Sequence, residues 1–142
     1  MYTFNKVIIE SNTEDVKVSE GDSLIVIHGS YFFKNNELHI VATDDVEVIL
    51  PVNHYEEINI TTDSGDCVVE MEKTTVSKLV FSSDGGDLTN NSNCEEIMFD
   101  SYGGVYKGGK YNSTRSSGRT TITPKPLNEL NSNSHGSDER YK

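Results

Sequence analysis

Period-two alternation of apolar and polar residues runs through the first half of the chain and predicts a series of short strands. Residues 4–10 (FNKVIIE) are the first, closed by the polar run 11–15. Residues 16–18 (VKV) alternate and stop at the turn signal Glu20-Gly21-Asp22. The apolar run 23–28 (SLIVIH) has the length of a buried strand. Gly29-Ser30 breaks it, and Tyr31, Phe32 and Phe33 follow. Asn35-Asn36 predicts a hairpin turn into residues 38–42, because asparagine tolerates positive φ. Asp44-Asp45 interrupts again before 46–51. Short strands so closely spaced predict a sandwich or a solenoid and not an α+β fold.

From Ile58 the pattern becomes an internal repeat. Residues 58–66 (INITTDSGD) align without gaps with 79–87 (LVFSSDGGD) and with 97–105 (IMFDSYGGV). A weaker fourth copy spans 111–119, followed by Thr121-Ile122-Thr123. Apolar residues hold the first and third positions and glycine the eighth, which predicts one inward face and a tight corner with positive φ at the glycine. Units of this size cannot bury an apolar face alone, so they predict stacking as successive rungs. The expected fold is an all-β single domain, a β-solenoid or rolled parallel stack with glycine-cornered rungs, over residues 1–123. Residues 124–142 are expected to form a capping segment and a loose tail. Residues 135–142 resemble the C-terminal octapeptide of green fluorescent protein, by coincidence or as an appended tag, so 131–142 are left out of the functional reading.

The order of these segments, with Asp15-Val16-Lys17-Val18, the strand ending in Leu50-Pro51 and the I-x-I-x-T-x-S-G-D units, resembles a widespread bacterial adhesin-type domain of unknown function. The resemblance covers roughly residues 4–123 and implies a β-solenoid-like fold. It brings no catalytic residues. The chain departs from that pattern at Val105 and Arg119, which stand where the other units have aspartate.

Composition sharpens the fold class. The chain has 142 residues, with 23 Val and Ile against 7 Leu and a single alanine, Ala42, a balance that suits strands and not helices. The net charge is -11. Residues 1–105 carry 20 acids and 5 bases, whereas 106–142 carry 3 acids and 7 bases. An acidic body repels phosphate backbones, so direct nucleic-acid binding is not expected. No apolar run is long enough to predict membrane insertion, and no leader pattern opens the chain, which slightly favours a cytoplasmic location. Cys67 and Cys94 lack metal-ligand spacing and are either two free thiols, the favoured reading, or one bridge.

Two constellations stand out as candidate sites. Asp63 and Asp66 in one unit and Asp84 and Asp87 in the next would stack about 4.8 Å apart, where calcium could relieve their repulsion. The bland reading is that these aspartates accept hydrogen bonds from turn amides, and it is favoured, so no cofactor is expected. Tyr102, Tyr106, Lys107, Lys110 and Tyr111 have the composition of an interaction patch, or else cap the open end of the stack. His28, His39, His54 and His135 are scattered, although His28 and His39 could face each other across a hairpin. No nucleophile elbow or phosphate loop is present, so an enzyme is not expected. The leading expectation is a non-catalytic binding or adhesion-type module that recognises a protein or polymer partner through a flat strand face. The alternative is an acidic phage-type inhibitor that mimics nucleic-acid charge and blocks a basic enzyme. Exposed strand edges make a homodimer plausible.

Overall fold

The computed structural model describes residues 4–108 and the backbone of 114–122. Eight strands follow one another: β1 (Lys6–Glu10), β2 (Val16–Gly21), β3 (Ile25–Lys34), β4 (Glu37–Pro51), β5 (His54–Thr61), β6 (Cys67–Ser83), β7 (Leu88–Lys107) and β8 (Thr114–Ile122). Among the described residues there is no helix, so the fold is all-β.

The long strands β4, β6 and β7 each turn a corner and serve two walls. The first half of β4 pairs with β1 and its second half with β2, both in parallel. The first half of β6 pairs with β2 and its second half with β5, again in parallel. Since β5 also pairs with β1, five strands close into a parallel ring. β7 extends both walls by pairing in parallel with β6. β3 and β8 are antiparallel additions, on β4 and β7 respectively.

Alternation decides what lies between the walls. On one wall the inward rows are Leu38, Val7, Ile58, Leu79, Ile97 and Ile40, Ile9, Ile60, Phe81, Phe99. On the other they are Val46, Val16, Cys67, Leu88 and Val48, Val18, Val69, Asn90. All of these side chains are buried. Each large one contributes about 1.5–3 kcal/mol by leaving water. Phe81 and Phe99 stack with ring centres 5.9 Å apart and planes 11° apart.

The three glycine-marked nonapeptides therefore stand side by side in parallel register, with Ile60, Phe81 and Phe99 adjacent and inward. Other expectations are corrected. The backbone around 114–119, within the weak fourth copy, runs antiparallel to β7, so it is not a further parallel unit. The apolar run 23–28 is not buried: Ile25 and Ile27 are 45% and 40% exposed, because β3 pairs on one side only among the described residues. β2 continues through Glu20 to Gly21, and β4 runs through Asp44-Asp45 without a break. The hairpin at Asn35-Asn36 is present, with Asn35 at φ 59°. His39 lies opposite Phe32 and stacks on its ring at 4.9 Å, while His28 sits in a bulge with its Nδ1 3.2 Å from the Asp45 carbonyl.

Candidate functional site

The candidate cation ligands belong to the first corner, where the chain passes from one wall to the other. There the carboxylates form a ladder along the backbone. Asp45 accepts from the Asp15 amide at 2.9 Å, and Asp15 from the Asp66 amide at 2.9 Å. Asp66 accepts from the Asp87 amide at 2.8 Å, and Asp87 from the Val105 amide at 2.8 Å. Each aspartate thus satisfies the amide of its counterpart in the neighbouring unit. Val105 ends the series, since its amide donates to Asp87 and its side chain has no carboxylate to extend the ladder. Asp63 and Asp84 adjoin through the backbone, with the Asp84 amide 2.8 Å from the Asp63 carbonyl. Both side chains are exposed. Among the described residues no group of three or more His, Cys, Asp or Glu converges on a point that could hold a metal ion.

The glycines of this corner serve close approach. A Cβ at Gly65 would lie 1.9 Å from the Glu14 carbonyl oxygen, at Gly86 2.2 Å from that of Gly65, and at Gly104 2.1 Å from that of Gly86. Positive φ falls one position earlier, at Gly85 (109°) and Gly103 (82°). The expected cause, a left-handed backbone at the eighth position, is therefore corrected: the next carbonyl excludes any side chain there.

At the second corner Glu20 holds the bend of β6. Its carboxylate accepts amide hydrogens from Glu72 (2.9 Å), Lys73 (3.0 Å) and Thr74 (2.8 Å). Burial pushes the Glu20 carboxyl up, but the amides of Lys73, Thr74 and Glu72 outweigh it and hold the group below its ordinary value. Beyond it lies a buried polar cluster. Ser92 Oγ donates to Asn90 Oδ1 at 2.5 Å and sits 3.0 Å from Cys94 Sγ. Burial raises the Cys94 thiol to about 11, and it raises the fully enclosed Cys67 thiol as well. Both cysteines are free. Thiols so protonated are poor nucleophiles.

Of the expected aromatic patch, the described members Tyr102, Tyr106 and Lys107 do not share one surface. Tyr102 is 66% exposed and Lys107 is exposed, but Tyr106 is 2% exposed. Its ring lies 5.9 Å from Phe99, because it occupies the inward row that Leu88 holds one unit earlier. Lys110 and Tyr111 lie outside the described residues.

The outer side of the first wall carries its own rows. One alternates in sign, Glu37, Lys6, Glu57, Lys78, Glu96, and the next reads His39, Ile8, Asn59, Val80, Met98. Strand spacing makes this surface about 20 Å across. Sequence reading missed these rows, since their members come from five separate segments. It also missed Asp15 and Asp45, although the recurrence of Asp-Val-x-Val at 15–18 and 45–48 was a usable signal.

Compared with protein families, curated proteins and solved structures, the chain matches none. No helix among the described residues is long and apolar enough to cross a membrane.

Proposed function

We propose that the chain is a non-catalytic binding module of the β-solenoid kind, which docks a protein or polymer partner on the outer side of its first wall. In this reading the ring is a flattened stack whose rungs, in spatial order, are 37–51, 6–21, 57–70, 78–91 and 96–107. The observation that carries the proposal is the five-deep register of Glu37, Lys6, Glu57, Lys78, Glu96 beside His39, Ile8, Asn59, Val80, Met98. Rows fixed by backbone pairing present alternating charge and apolar surface without an ordering cost on binding. The Lys6–Glu37 pair, 3.9 Å apart and about one-third exposed, contributes little to stability. These charges are therefore free to serve specificity. The resemblance of residues 58–66 and 79–87 to the bacterial adhesin-type domain supports the same reading.

The test is affinity capture from host lysate, followed by titration of the purified partner. Val80→Arg with Met98→Arg should weaken binding at least ~10-fold, whereas Val68→Arg with Thr89→Arg on the opposite wall should leave it unchanged. Between about 50 and about 500 mM salt the affinity should change only a few-fold. Loss of binding through the opposite wall alone overturns the proposal. A collapse with salt favours the acidic mimic of nucleic acid instead.

A further inference from the structure

The exposed apolar residues are unevenly distributed. Of the seven large ones, Ile25, Ile27, Tyr31 and Phe32 lie on β3, and Val41 lies opposite Ser30 of the same hairpin. Among the described residues β3 pairs only with β4, so over residues 25–32 its far edge is joined to no other described strand. Native edges of this kind are normally blunted by charge or proline. Here residues 23–33 hold neither and form the longest uncharged run in the chain. On a protein of net charge -11, this is the strand along which two copies meet with least repulsion.

The shape of β3 narrows the choice of partner. His28, at φ 64°, breaks the register between Ile27 and Gly29 and carries the strand around the corner. It also switches the inward parity. Val26 faces inward opposite Val48, whereas Tyr31 and Phe33 face inward opposite Ile40 and Leu38. A straight strand cannot follow such an edge, but a second copy of β3 bends at the same place. Antiparallel pairing about a two-fold axis through the corner, between His28 and Gly29, matches the faces throughout. Inward, Tyr31 meets Val26 of the second copy. Outward, Phe32 meets Ile25 of the second copy and Ser30 its Ile27.

We propose that β3 is a homodimer interface, joining two copies edge to edge into one continuous sheet. It does not rest on the outer-wall reading, although Phe32 stacks on His39 at that wall's edge, because self-association of the isolated chain is read without any other partner. The experiment uses the full chain in sedimentation equilibrium from about 1 to about 200 µM. The wild type should associate reversibly to a dimer. Phe32→Lys and Ile25→Lys should each weaken association at least ~10-fold while leaving the far-ultraviolet circular dichroism unchanged. Ile25→Cys combined with Phe32→Cys should give a covalent dimer on mild oxidation, and Val52→Cys, which is away from β3, should not. A wild type that stays monomeric at the highest concentration overturns the proposal. So does a dimer that survives Phe32→Lys in a folded chain, or one that the paired cysteines fail to cross-link.

Discussion

At the first corner single atoms decide which residues are allowed. Gly86 has the Gly65 carbonyl where its Cβ would be, whereas Gly103 has positive φ and open space around it. The two positions predict different penalties. Gly103→Ala should cost about 1–2 kcal/mol, the strain of a left-handed alanine. Gly86→Ala should cost roughly 3 kcal/mol or more, because two backbone segments must separate. Urea denaturation of both variants checks the order, and equal penalties would show that close approach is not the constraint. That glycine mattered at the eighth position was legible in the sequence, but its reason was not. The carbonyl that forbids a side chain belongs to a neighbouring unit, and one unit read alone suggests only a tight turn. The aspartate ladder was half legible for the same reason: turn amides were expected as partners, but their owner, the counterpart aspartate one unit away, follows only from the parallel register.

Among the elements, β6 depends on a carboxylate from another strand to make its bend. Glu20 is ionised and bound to three amides, and its proton affinity is lowered in the folded chain. A group shifted this way stabilises the fold above its unfolded pKa, and the benefit disappears as pH falls through the folded value. Glu20→Gln should therefore cost about 1 kcal/mol at pH 7, discounted for the solvent that screens a partly open carboxylate. The gap between variant and wild type should narrow as pH falls below the ordinary glutamate value of about 4.3 and close as it falls through the lower folded value. Thermal unfolding at several pH values checks this, and a gap that persists in acid would remove the charge from the explanation. Element existence was largely legible, because β-branched alternation leaves few options. The first nonapeptide, residues 7–15, escaped notice although it lies in register with 58–66, since Glu14 replaces the marker glycine. Its neighbour β4 takes the corner one residue shorter, which disguises that copy further. Tyr106 was misplaced for a related reason: beside Lys107 and Tyr102 it reads as surface, and only the row it shares with Leu88 shows that it points inward.

For the whole molecule, the two thiols report on how the walls come apart. Cys67 is 1% exposed and Cys94 6%, and they sit at different depths along the sheet. Neither should react with a neutral disulfide reagent in the native state, and both should react once the chain unfolds. Cys94, near the β7 end, should be labelled first as denaturant is raised. Prior labelling of Cys67 would place the weakest part of the ring at β2 and β6. The exposed β3 was the least legible feature at this scale. An apolar run reads as buried whether it ends in a core or on an open edge, and only its strand pairing distinguishes the two.

The position of β1 and β2 has a consequence for the order of biogenesis. These strands leave the ribosome before β4, β5 and β6, yet each lies between partners made later: β4 and β5 flank β1, and β4 and β6 flank β2. This segment is thus a keystone set before the arch exists. The nascent chain must carry it without its full set of partners until residues of β6 emerge, and a holdase that shields residues 6–21 would act where the emerging polypeptide is most vulnerable.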